Sequence, residues 1–157
     1  MLKLYYAAGG CSIAPHIALR EVGASVELVQ VDLKTKRLAD GSSFAAINAK
    51  NQIPALILDD GALLTETSAI LQFVADLGPD AKLAPPAGTM ERVRLQEWLN
   101  FITTELHKAF TPLFRNEASD DYKAIIRERV NARLAWTATE LGDKPHVLGD
   151  AFTVVDG

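Results

Sequence analysis

Leu2-Lys3-Leu4-Tyr5-Tyr6-Ala7-Ala8-Gly9-Gly10-Cys11-Ser12-Ile13-Ala14-Pro15 reads as a strand, a tight turn and the start of a helix. Residues 2–6 favour a strand, and Gly9 and Gly10 permit the turn. Ser12 is a good N-cap, Pro15 is tolerated in a first helical turn, and Ile13, Ile17 and Leu19 continue an apolar pattern until Gly23 stops it. The single cysteine, Cys11, is thereby expected at a helix N-terminus, where unpaired backbone N–H groups and the helix dipole favour a thiolate over a thiol. Two readings of it stay open: a small buried hydrophobe or a nucleophile. Ala14 stands where a dithiol redox motif needs its second cysteine, so any thiol chemistry here is monothiol.

After Gly23, residues 26–31 alternate apolar and polar and read as a second strand. Strand, helix and strand form a βαβ unit, most simply a parallel pair with a right-handed crossover. That places the Cys11 turn at the C-terminal edge of the sheet, where α/β folds bind ligands. Residues 32–41 are polar, and Lys34, Lys36 and Arg37 there are either a solvated loop or an anion contact. A short helix is expected around 43–47. Asn48-Ala49-Lys50-Asn51-Gln52 is rich in turn formers, and Ile53-Pro54 opens the apolar run 55–58. Pro54 fits a strand start because it has no N–H to give to a ladder. Asp59-Asp60-Gly61 is a turn and Ala62-Leu63-Leu64 the returning strand of a hairpin. Thr65-Glu66-Thr67-Ser68 then precedes an apolar helix over 69–77. Its hydroxyls and free N–H groups form a ready carboxylate site, with Glu66 nearby to receive an ammonium group; ordinary N-capping is the other reading.

The chain has 157 residues, 48% hydrophobic and 23% charged, a soluble globular composition. Sixteen basic and twenty acidic residues give a net charge of −4, which argues against nucleic acid or an anionic membrane as the main partner. One cysteine makes no internal disulfide, so no oxidising compartment is needed. The longest apolar run, 53–58, is too short to span a bilayer, and the N-terminal stretch has no signal-peptide core. The expected location is the cytoplasm.

Residues 78–88 hold three of the seven prolines and read as an interdomain connection. A long helical pattern follows. Leu95, Trp98-Leu99, Ile102, Leu106 and Ala109-Phe110 form a core stripe, and Asn100, Thr103-Thr104, His107 and Thr111 form a polar stripe beside it. Residues 122–141 make another amphipathic helix, with Ile125-Ile126, Val130, Leu134 and Leu141 inward and Arg127, Glu128, Arg129 and Arg133 solvated. Thr153-x-x-Asp156, with Phe152 before it as a candidate staple, is a capping-box pattern that announces a helix. His16 and His146 read as structural or exposed. No His/Glu cluster has metal-ligand spacing, so no metal site is expected.

Tyr6…Cys11-Ser12, Asn48-x-x-x-Gln52-Ile53-Pro54-Ala55-Leu56 and Glu66-Thr67-Ser68-Ala69-Ile70 together resemble the thioredoxin-like N-terminal domain of glutathione transferases. The cysteine points to the bacterial beta class. The resemblance covers essentially the whole chain and implies an α+β protein. A thioredoxin-like glutathione-binding domain of βαβ–α–ββα form would span 1–78, with a linker at 79–88 and a partial all-helical domain at 89–157. The implied roles follow position by position. Cys11 would face the glutathione sulfur and form a mixed disulfide with it, with Tyr6 beside the thiol. Lys36 would approach the glycyl end. Ile53, held by a cis Pro54, would pair with the cysteinyl main chain, while Glu66 and Thr67 would bind the γ-glutamyl end. Glu105-Leu106-His107-Lys108 matches the segment whose histidine and lysine reach toward the cysteine, where cationic groups favour thiolate. Asn100 matches a ligand-side asparagine. Ala49 stands where the family usually has proline, Asn51 where it has glycine, and Thr67 where serine is common. Asn tolerates the left-handed conformation better than most residues.

The activity so implied is conjugation of glutathione, as co-substrate, to small hydrophobic electrophiles in detoxification, with glutathione-dependent thiol–disulfide activity through Cys11. The implied assembly is a homodimer. A monothiol oxidoreductase and a truncated, non-catalytic glutathione-binding remnant are the alternatives. In the resembled family the box at 153–156 opens a central helix, so the resemblance further implies a C-terminally shortened chain, less stable than a complete member.

Overall fold

The computed structural model describes residues 1–157 and divides into two compact units, 1–84 and 85–156. The division falls within the proline-rich connection. Its first part belongs to the first unit, where Pro79–Ala81 is a single 3-10 turn and Leu83 is buried.

The first unit runs β1 (Leu2–Tyr6), α1 (Ile13–Glu21), β2 (Val26–Gln30), a 3-10 turn (Phe44–Ala46), β3 (Ala55–Ile57), β4 (Leu63–Thr65) and α2 (Thr67–Leu77). The strands lie in the order β2-β1-β3-β4. β1 and β2 are parallel, as a βαβ crossover requires, and β3 runs antiparallel to both β1 and β4. This is the thioredoxin-like arrangement with a mixed four-stranded sheet. Leu4 pairs with Leu28 on one side and Leu56 on the other, and Leu4 and Leu56 are fully buried. The helix expected over 43–47 is corrected to the three-residue turn Phe44–Ala46. It goes no further because Asn48, at its exit, is committed with both side-chain polar atoms to the next turn.

Helices α1 and α2 pack on one another. They bury Ala14, Pro15, Ala18 and Leu19 of the first and Ile70, Leu71, Val74 and Ala75 of the second, in the i, i+4 pairs that share a helix face. Ile13 and Ile17, which carry the apolar pattern of the sequence, are exposed. A one-residue offset turns a helical side chain by about 100°, and the stripe built on Ala14 and Ala18 leaves them outside. A second apolar cluster joins Tyr5, Val31, Phe44 and Ala55, with Leu38, Ile47 and Ile53 packed against it. The Tyr5 and Phe44 rings meet at 5.6 Å between centroids.

The second unit departs further from expectation. In place of one helix over 95–111 the chain forms α3 (Met90–Phe101), a π-helical segment (Ile102–His107) and a 3-10 segment (Lys108–Phe114). The causes are local. Thr103 and Thr104 hydroxyls donate back to the carbonyls of Leu99 (2.8 Å) and Asn100 (3.0 Å), a pattern that bends helices. Pro112 further on has no N–H for a helical ladder. The wider π turn breaks the three- and four-residue register. Leu95 and Leu99 are buried, but Ile102, Leu106 and Phe110 are only half-buried, and Thr103 and Thr111 are half-buried while Asn100 and His107 are exposed.

α4 (Asp120–Leu141) begins at Ser119, whose hydroxyl accepts from Tyr122 N–H, with Asp120 and Asp121 in the first turn, where carboxylates suit the helix dipole. Ile126 and Val130 are buried, whereas Ile125 and Leu134, expected inward, are exposed. Trp98, Phe101 and Trp136 form an aromatic cluster, the indoles stacked at 5.3 Å. Asp156 Oδ2 accepts from Thr153 N–H at 2.9 Å and Thr153 Oγ1 accepts from Val155 N–H at 3.3 Å, but residues 153–156 form a turn and not the helix that the pattern announces. No helix is long and apolar enough to cross a membrane.

Arg129 and Arg133 are not merely solvated. Both donate to Glu105 Oε2, at 3.0 and 3.2 Å, and tie the π segment to α4. The Arg129 hydrogen bond, with the charges of both arginines, holds the Glu105 carboxyl below the usual glutamate range. A carboxyl depressed in the folded state stabilises it above the pH where unfolded glutamates protonate, and that contribution is lost as pH falls through the folded value. Asp32 and Asp40 are depressed too, by hydrogen bonds from Thr35 and Lys34 and from Ser42. We therefore predict that Glu105→Gln lowers the Tm at neutral pH and loses less Tm than the parent on acidification. Melting curves at stepped pH check this, and parallel acid profiles would contradict it.

Candidate functional site

The sheet pairing gathers one edge. Val31 N–H donates to the Tyr6 carbonyl at 2.8 Å, so the exit of β2 lies beside the end of β1. Ala55, which opens β3, pairs with Tyr5 on one side and with Thr65, the last residue of β4, on the other. The Cys11 turn, the Ile53–Pro54 bond and the start of α2 therefore share this edge.

Cys11 is half-buried, and its Sγ–H donates to the Ile53 carbonyl at 3.5 Å. The Ile53–Pro54 peptide is cis. The turn that presents Cys11 depends on both glycines. Gly9 has φ +71°, a conformation that favours glycine. A Cβ on Gly10 would lie 3.1 Å from Ile53 Cδ1 and 3.3 Å from the Ala7 carbonyl oxygen. Ser12 occupies the N-cap position but does not cap α1, contrary to expectation. Its buried hydroxyl instead donates to Ala7 O at 3.2 Å and accepts from Ala7 N–H at 3.1 Å, closing the turn on itself. Tyr6 is half-buried, its ring 6.4 Å from that of His16.

Lys36 sits in the loop after β2 at φ +55°. Its N–H donates to Asp32 O at 2.8 Å, and its carbonyl accepts from Phe44 N–H at 3.0 Å, so the loop hangs on the buried ring of Phe44. In the 48–52 turn, buried Asn48 donates from Nδ2 to Gln52 O at 2.7 Å and accepts Lys50 N–H at 3.1 Å. Asn51 takes φ +53°, the left-handed conformation for which asparagine substitutes for glycine. Its Oδ1 is buried without a hydrogen-bond partner.

Glu66 is the residue before α2, at φ +71°, an uncommon conformation for a side-chain-bearing residue and a mark of functional segments. Its carbonyl accepts from Ala69 and Ile70 N–H, which leaves the Thr67 and Ser68 N–H groups at the start of α2 without an acceptor in the helix. No side chain caps that start. The Glu66 carboxylate is engaged: Lys50 Nζ donates to Glu66 Oε1 at 2.6 Å and to Thr65 Oγ1 at 3.0 Å. Lys50 is the residue that sequence reasoning missed. Its partner Glu66 lies 16 residues further on, brought close by the β3–β4 register, which no local pattern encodes.

In the second unit, Asn100 lies near the end of α3, His107 closes the π segment and Lys108 opens the 3-10 segment, all three exposed. Lys108 borders a groove of about 780 Å³ with Thr111, Phe114, Arg115 and Tyr122. The structure thus brings Cys11, Ile53 and Pro54 together, sets Glu66 and Thr67 on the adjoining strand end and holds Lys36 through Phe44. His107 and Lys108 are neighbours in the other unit. No three His, Cys, Asp or Glu side chains are grouped to hold a metal ion.

Residues 1–76 match the family model of the glutathione S-transferase N-terminal domain. Over 155 residues the chain is 47% identical to glutathione S-transferase GstA of Escherichia coli O157:H7, covering 99% of this chain and 77% of that protein. Among solved structures, a sphingomonad glutathione S-transferase complexed with glutathione superposes with a TM-score of 0.93 at 46% identity, over 98% of this chain and 76% of that one. The bacterial beta class glutathione S-transferase of Sphingomonas chungbukensis gives a TM-score of 0.92 at 47% identity, with the same coverage. A half-buried cysteine on the carbonyl that precedes a cis-proline, within a chain of this likeness, leads to one assignment: the chain belongs to the glutathione S-transferase family, in its bacterial beta class.

Proposed function

We propose that the protein conjugates the glutathione thiolate to small hydrophobic electrophiles and, through Cys11, carries out glutathione-dependent thiol–disulfide exchange. The observation that carries the reading is the meeting of Cys11 Sγ with the Ile53 carbonyl beside cis Pro54, one strand away from the open start of α2. In this reading Ile53 offers its backbone to the cysteinyl unit of glutathione. Glu66 and Thr67 take the γ-glutamyl end, and Lys36 the glycyl carboxylate. Tyr6 and Cys11 attend the sulfur, with His107, Asn100 and Lys108 as the contribution of the helical unit. The relative solved with glutathione bound supports the ligand. The family carries with it a homodimer and a cytoplasmic, detoxifying role.

The exchange step balances without a further reagent. The Cys11 thiolate attacks a glutathione mixed disulfide, forming a Cys11–glutathione disulfide and releasing the partner thiolate, which takes a proton. A second glutathione thiolate then attacks, yielding glutathione disulfide and freeing Cys11. The first test is retention on immobilised glutathione followed by turnover of a chlorodinitrobenzene. We expect both. Retention without turnover would leave a non-catalytic binding protein, and failure to bind would reject the reading.

A further inference from the structure

We propose that Lys50 is an internal stand-in for a ligand ammonium at Glu66, and so sets how far the γ-glutamyl subsite depends on the amino group of its ligand. The inference rests on the glutathione reading above and adds to it a specificity-determining, positioning residue. Glu66 is the only carboxylate that the reading places at that subsite. Its Oε1 is held by Lys50 Nζ at 2.6 Å, and a second donor of the same ammonium is spent on Thr65 Oγ1 at 3.0 Å. Lys50 is not there by chance of a floppy loop. Its N–H is bonded to Asn48 Oδ1, Asn48 is buried, and Asn51 turns the chain back at positive φ. The ion pair also restrains the side chain of a residue whose backbone is itself at φ +71°.

Electrostatics gives the consequence. A ligand ammonium arriving at Glu66 meets a carboxylate that is already paired. It must share the carboxylate through Oε2 beside a like charge, or displace Lys50 into water. Either way the attraction it gains is smaller than at a free carboxylate. The carboxylate end of the same ligand, which this reading directs to the N–H groups at the start of α2, is not opposed in this way. The subsite therefore reads the carboxylate of the γ-glutamyl group more strongly than its ammonium. Both side chains of the Lys50–Glu66 pair are more than half exposed, so the effect is that of a screened surface pair, about threefold to fivefold in affinity.

The test compares glutathione with its desamino analogue, glutaryl-cysteinyl-glycine, by titration calorimetry on the parent chain, Lys50→Met and Lys50→Arg. The quantity read is the ratio of the two dissociation constants. The expected result is a ratio about threefold to fivefold larger in Lys50→Met than in the parent, with the parent ratio restored in Lys50→Arg. An equal Tm for the three chains is the control on folding. A merely structural role for Lys50 would weaken both ligands alike and leave the ratio unchanged, which overturns the inference, as does a Lys50→Arg ratio equal to that of Lys50→Met. If glutathione fails to bind the parent chain, the glutathione reading itself falls and this inference with it. If glutathione binds and only the ratio is unmoved, the glutathione reading stands and the role of Lys50 does not.

Discussion

Replacing Cys11 with alanine is expected to cut glutathione-dependent disulfide reduction by at least about a thousandfold, to the level of uncatalysed exchange in solution. The chain has no second cysteine to take over, and the step needs an attacking sulfur. The same variant should show no glutathionyl adduct by intact mass after incubation with glutathione disulfide, whereas the parent gains one. The fold should be little affected. The lost Sγ–H contact to Ile53 O at 3.5 Å is a weak sulfur hydrogen bond, and the turn is closed independently by Ser12 on Ala7. Conjugation of an electrophile should stay within about threefold of the parent, because there the nucleophilic sulfur belongs to glutathione and not to the protein. Persistent disulfide reduction in Cys11→Ala would remove Cys11 from the redox role. A parallel collapse of conjugation would place Cys11 in that reaction as well.

How far the sequence reveals this molecule depends on whether the deciding interaction is local. β1, the Gly9-Gly10 turn, α1 and β2 are legible because each follows from propensity and periodicity over fewer than ten residues, and a parallel pairing follows from their order. The left-handed backbone at Asn51 is legible only through the resemblance, which puts glycine there, a conformation that asparagine tolerates. The helix break after Phe101 is not. The 3.6-residue pattern continues through 95–111, and two threonine hydroxyls bonded four residues back, with Pro112 beyond, override it. Helix faces are legible only to within one residue. That margin is enough to turn Ile13, Ile17, Ile125 and Leu134 outward. In the site, Cys11, Ile53, Pro54 and the start of α2 announce themselves through turn and cap chemistry. Ser12 does so misleadingly, since its hydroxyl turns back to Ala7 rather than forward to its helix. Lys50 stays hidden because its partner is set by strand register.

Phe44→Ala is the substitution expected to cost the first unit most, about 3–5 kcal/mol. Phe44 is fully buried, touches the Tyr5 ring and packs in the cluster with Val31 and Ala55. Truncation leaves a ring-sized void next to the central strand. That strand cannot move to fill it, since β1 is paired on both sides. A loss of this size is a large share of the stability of an ordinary domain, and it has a readout specific to this unit. Amide exchange at Leu4 and Tyr5, if these exchange through unfolding of the unit, should speed up by about two to four powers of ten. Both tryptophans, Trp98 and Trp136, lie in the other unit and serve as a separate probe by fluorescence. Phe44→Leu keeps most of the volume and should cost less than half as much. Function should follow the same order. The Lys36 carbonyl is held by Phe44 N–H at the mouth of this void, so a turn that loses its buried ring loosens the loop that brings Lys36 toward the glycyl carboxylate. Retention on immobilised glutathione should therefore fall in Phe44→Ala toward the level reached by Lys36→Ala, and recover in Phe44→Leu. Parental retention in a folded Phe44→Ala would mean that the ring supports the fold without placing the lysine.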